Sequence, residues 1–61
     1  VRIEVDPSSL SDREAALVRL LCDVAFVETL GLDVAERRGR LSAIADALER
    51  VLPGVRARVT D

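Results

Sequence analysis

Ala15-Ala16-Leu17-Val18-Arg19-Leu20-Leu21-Cys22-Asp23-Val24-Ala25-Phe26-Val27 is apolar at every position except Arg19 and Asp23. A helix apolar around most of its circumference cannot lie as an ordinary surface helix over a one-sided core, because too much of it would stay in water. It needs cover on more than one side. The expected cover is a second helix of the same chain on one side and another molecule on the other.

At 61 residues the chain has room for a single small domain, and chains near this size bury only about 60% of the surface that their unfolded form exposes. Small domains make up that deficit with disulfides, a metal or oligomerisation. Cys22 is the only cysteine, which excludes an intrachain disulfide. There is no His, so the Cys and His ligands of a structural zinc site are missing and neither a metal nor a cofactor is expected. Oligomerisation is the remaining route.

The net charge is −2 with both signs interspersed, which gives no strong electrostatic preference for nucleic acid or an anionic membrane. One Phe, with no Trp or Tyr, lowers the prospects of base stacking and of aromatic-lined pockets. The apolar run is shorter than the ~20 residues that span a bilayer. No basic segment followed by an apolar run and cleavage site opens the chain. A cytoplasmic location without a membrane partner is therefore expected.

Outward from the apolar run, Ser11 and Glu14 have the spacing of a capping box and start a helix at about Asp12. Leu30-Gly31-Leu32 suits a left-handed Gly after the last turn, so this helix is expected over residues 12–30. Asp33 and Glu36 repeat the capping spacing and open a second helix over residues 34–52. Its apolar stripe is Val34, Leu41, Ile44, Leu48 and Val51, widened by Ala45 and Leu52. Glu36 with Arg40 and Asp46 with Arg50 have the four-residue spacing of helix-surface ion pairs. Gly39 weakens this helix, and a start near Arg40 or Leu41 is the alternative.

Val1 to Val5 and Val55 to Val59 alternate apolar and charged residues, as half-buried strands do. Asp6-Pro7-Ser8-Ser9 ends the first strand in a turn, and Pro53-Gly54 precedes the second. The chain thus reads as an α+β fold of order β-α-α-β, a two-helix antiparallel hairpin with short flanking strands, completed by dimerisation. The strands pair either within one chain or across a dimer. In either case Arg56 and Arg58 come opposite Arg2 and Glu4 and leave that face net basic.

No Gly-rich phosphate loop, paired catalytic carboxylates or nucleophile triad is present, and an enzyme is not expected. Cys22 lies among Leu and Val without a His to activate it, which suits a small apolar packing role. The residues expected at an interface are Leu20, Val24, Phe26, Val27 and Leu30, with Arg19 and Asp23 as its polar edge or register pin. Glu28 falls within the apolar face and is either solvated near the helix end or paired with a base such as Arg37 or Arg38. Arg37-Arg38-Gly39-Arg40 is either a solvated helix face or a phosphate contact.

The order of strand, Pro-containing turn, helix, Leu-Gly-Leu turn and helix is carried by Val1-Arg2-Ile3-Glu4-Val5, Pro7 and Leu30-Gly31-Leu32-Asp33. It resembles the ribbon-helix-helix family of DNA-binding dimers, whose paired strands enter the major groove. The resemblance implies a dimeric regulator or antitoxin that contacts DNA through its outward strand side chains. Here those side chains are Arg2, Glu4 and Asp6, two of them acidic, the segment from Pro7 to Gly31 is about two turns longer, and a second strand follows. The first expectation is accordingly a small accessory subunit or adaptor that associates, as a homodimer or with a partner protein, through the first helix. The DNA-binding regulator is the alternative.

Overall fold

The computed structural model describes residues 1–61 as β1 (Arg2–Val5), a 3-10 turn (Pro7–Ser9), α1 (Asp12–Glu28), α2 (Val34–Val51) and β2 (Ala57–Thr60). The strands pair antiparallel within the chain, with Arg2 opposite Thr60, Ile3 opposite Val59, Glu4 opposite Arg58 and Val5 opposite Ala57. This settles the choice left open by the alternating segments: β1 takes β2 of its own chain as its neighbour. The fold is α+β, two helices with a two-stranded antiparallel sheet.

Local chemistry sets most of the boundaries. At the start of α1 the Glu14 N–H donates to the Ser11 hydroxyl at 3.2 Å and the Ser11 N–H donates to the Glu14 carboxylate at 3.0 Å. Both arms of the capping box are therefore made. Asp33 caps α2 by accepting from the Glu36 N–H at 2.9 Å, without the return bond. Asp6 accepts from the Ser8 N–H at 3.0 Å and fixes the turn after β1. Gly54 is the one residue with positive φ, at 85°, and its carbonyl accepts from the Ser9 hydroxyl at 3.2 Å.

The end of α1 differs from the sequence expectation. The helix stops at Glu28, two residues early, and Gly31 is not left-handed. Thr29 ends it instead: its hydroxyl donates to the carbonyl of Phe26 at 3.1 Å, which no backbone N–H takes, and to that of Ala25 at 2.8 Å, which also accepts from the Thr29 N–H. Thr29 is buried, so this polar group is both satisfied and locked. In α2 the helix runs straight through Gly39, which excludes the shorter alternative.

The core joins Ile3 and Ala57 of the sheet, Val18 and Ala25 of α1, and Leu41, Ala45 and Leu48 of α2. Leu41 is the one large side chain wholly out of water. The expected α2 stripe is thus shorter than its sequence pattern: Val34 and Val51 are 64% and 73% exposed. Strands of four residues reach about 13 Å, while α2 is about 27 Å long, so the sheet covers only part of it. Val51 also lies off the row formed by Leu41, Ala45, Leu48 and Leu52.

The backbone of α2 approaches both strands, whereas that of α1 approaches mainly β1, and the two helices meet mainly through side chains. Glu49 ties α2 to the sheet by accepting from the Ala57 N–H at 3.0 Å. The result is an elongated molecule of 33 × 17 × 17 Å. No helix is long and apolar enough to cross a membrane.

Two stability measurements follow. No atom lies within 4 Å of the place where a Cβ on Gly39 would stand, so Gly39→Ala should raise stability by about 0.5–1 kcal/mol in urea unfolding. Leu41→Ala should lower it by about 2–5 kcal/mol, enough to unfold much of a domain this small at room temperature.

Candidate functional site: the outer face of the first helix

Only Val18 and Ala25 of α1 are buried, and Ala15 and Cys22 are half-buried beside them. The opposite side carries Leu17, Leu20, Leu21, Val24 and Val27, each between 46% and 65% exposed. Leu17, Leu20, Val24 and Val27 are spaced by three, four and three residues, which places them in one row along the helix, with Leu21 beside it. Five large aliphatic side chains in one contiguous stripe are unusual on the surface of a monomer.

Three of the expected interface residues, Leu20, Val24 and Val27, lie on this face. Leu30, beyond the helix end, is also exposed. Phe26 lies on another side of α1, with its ring under the Arg37 guanidinium at 4.4 Å from the ring centroid. Nε and Nη2 of Arg37 are buried and make no hydrogen bond, and the ring face offers them a cation–π contact in its place. One face of Phe26 is thus covered within the chain, while the residue as a whole stays 37% exposed. Leu17 and Leu21 were not among the expected contacts, although their three- and four-residue offsets from Leu20, Val24 and Val27 carry the signal.

Arg19 and Asp23 approach to 4.0 Å, with both side chains mostly in water. A pair this exposed contributes little to stability. Together with Phe26 they border a groove of about 690 Å³ between α1 and β1, whose floor and walls include Ile3, Val5, Leu10, Ala15 and Cys22. Burial, and then the neighbouring Asp23 charge, push the Cys22 thiol above its ordinary pKa. A thiol held protonated is a poor nucleophile. No group of three or more His, Cys, Asp and Glu side chains gathers in a metal-binding arrangement.

The charges expected to pair along α2 stay unpaired. Arg38 binds Asp61 near the C-terminus, and neither Glu36–Arg40 nor Asp46–Arg50 forms an ion pair. Glu28 has no ionic partner: Arg37 is over Phe26 and Arg38 is on Asp61. On the outer face of the sheet Arg2 pairs with Glu4 at 3.4 Å, Glu4 also lies opposite Arg58, and Asp6 feels the Arg56 charge. With Asp6 counted, that face is a mixture of signs and less basic than Arg2, Glu4, Arg56 and Arg58 alone suggest.

No protein-family model, curated protein or solved structure matches this chain.

The two turn-forming carboxylates set the response to acid. The Ser8 backbone N–H, then the Ser8 hydroxyl, lower the pKa of Asp6 from 3.8, and the Ser11 backbone N–H, then its hydroxyl, lower that of Glu14 from 4.5. Depressed folded-state values mean that these groups add stability above their unfolded pKa values and lose it as the pH falls through the folded ones. The melting temperature should be flat above about pH 5 and fall below it. Glu14→Gln, which still accepts from the Ser11 N–H, should flatten part of that fall.

Proposed function

We propose that this chain is a small, non-catalytic association module whose outer α1 face is covered by another protein surface. The observation that carries the reading is the exposed row of Leu17, Leu20, Leu21, Val24 and Val27. Burying apolar area is worth about 25 cal/mol per Å², and a domain of this size has little core to spare. An adaptor or accessory subunit uses such a face by presenting it on a rigid element. Here α1 is fixed at one end by the Ser11–Glu14 box and at the other by Thr29.

The DNA-binding alternative draws less support. The outward side chains of β1 are Arg2 and Glu4, already bonded to each other, and an acid among them opposes phosphate contact. Of the basic residues of α2, Arg37 and Arg38 are engaged within the chain, which leaves Arg40 and Arg50.

Sedimentation equilibrium at micromolar concentration tests the association reading. The expected mass exceeds that of one chain and drops to it in L20D/V24D, with helical circular dichroism unchanged because both side chains are on the exposed face. A fully helical chain that sediments as a monomer across the concentration range would overturn the reading.

A further inference from the structure

The outer face of α1 is bracketed by two charges. Arg13 precedes Leu17 by four residues and Glu28 follows Val24 by four, so both continue the apolar row at its ends. Both are exposed, and neither takes part in an ion pair.

Each of these charges stands at the wrong end of its own helix. The N-terminus of a helix favours acids and the C-terminus favours bases. Arg13 is in the first turn, between Asp12 and Glu14, and Glu28 is the last helical residue, in a final turn that contains no base. Neither position is explained by the stability of α1.

The outward set Arg13, Leu17, Leu20, Leu21, Val24 and Glu28 reads the same in reverse, with Val27 beyond its symmetric part. An antiparallel pairing with its two-fold axis between Leu20 and Leu21 sets residues whose numbers are symmetric about that point opposite each other. Leu17 then meets Val24, Leu20 meets Leu21, and Arg13 meets Glu28, each on the other chain. The spacings of three and four residues on either side of the Leu20–Leu21 pair keep this set on one side of the helix. In a parallel pairing Arg13 would meet Arg13 and Glu28 would meet Glu28, so the charges select the antiparallel arrangement.

We propose that the occupant of this face is a second copy of the chain, bound through antiparallel packing of α1 on α1 with Arg13 and Glu28 pairing across both ends of the seam. The proposal rests on the association reading above and adds to it the partner, the orientation and the register. A two-fold contact of this kind is self-complementary and closes at the dimer, so it does not propagate into a filament. It also leaves the groove between α1 and β1, and the outer face of the sheet, free in the assembled pair.

Charge reversal at the two ends tests the proposal. R13E and E28R each turn two attractive pairs into two repulsive ones, and each should weaken the dimer about tenfold or more. Both substitutions agree with the helix dipole, so helicity and the melting curve of the monomer should hold or improve. Mixing the R13E and E28R chains should restore association as a mixed dimer, and R13E/E28R should self-associate like the wild type. A dimer that ignores both reversals but is lost in L20D/V24D overturns this register while leaving the association reading intact. Monomeric wild-type chain overturns both.

Discussion

Four short elements share one small core, and its area is the constraint on which the rest of the molecule depends. Leu41 at its centre is out of water because β1, β2, α1 and α2 all contribute to the cluster around it. Two strands stand about 5 Å apart, whereas two packed helices stand about 8–10 Å apart. The sheet is therefore too narrow to seat both helices. It goes mainly to α2, which is also tied to it by the Glu49 carboxylate on the Ala57 N–H. What remains for α1 is contact with β1 and a side-chain seam against α2, and Val18 and Ala25 are all that this arrangement buries of it.

The two edges of the sheet differ for the same reason. The Asp6 N–H bonds to the Arg56 carbonyl at 3.1 Å, so by antiparallel alternation Arg2, Glu4 and Asp6 direct their backbone groups to β2. Ile3 and Val5 direct theirs to the groove beside α1, while the outward N–H of Ala57 on β2 is taken by Glu49. The charged side chains Arg2 and Glu4 on so short an edge strand discourage edge-to-edge pairing. The aliphatic face of α1 has no such protection, and in the proposed dimer its two bracketing charges pair with a reversed copy rather than repel one.

Local interactions were legible in the residues, and distant ones were not. The Ser11–Glu14 box, the Asp33 cap, the first strand and the β-α-α-β order depend on neighbours within a few positions and are found where their spacing indicates, whereas the second strand starts at Ala57, two residues after its alternation begins. Gly31 illustrates the limit. A Gly after a helix suits a left-handed cap, but Thr29 reaches the Ala25 and Phe26 carbonyls first and ends the helix earlier. Val34 and Val51 fit an apolar stripe, yet their exposure depends on how far two four-residue strands extend, a property of the assembled sheet. The contact of Phe26 with Arg37 was not legible either, because Arg37 is eleven residues away on the other helix. The excess of apolar surface on α1 was evident from its composition, but which side of the helix carried it became clear only with the core in place.

The central claim is that the outer face of α1 is one half of a symmetric seam. The most direct measurement is an isotope-filtered nuclear Overhauser experiment on a mixture of labelled and unlabelled chains, which reports only contacts between molecules. The account predicts intermolecular cross-peaks between the Leu17 and Val24 methyl groups and none between Leu17 and its own counterpart. Intermolecular peaks confined to the Ile3, Phe26 and groove residues, or none from α1 in a folded sample at millimolar concentration, would contradict it.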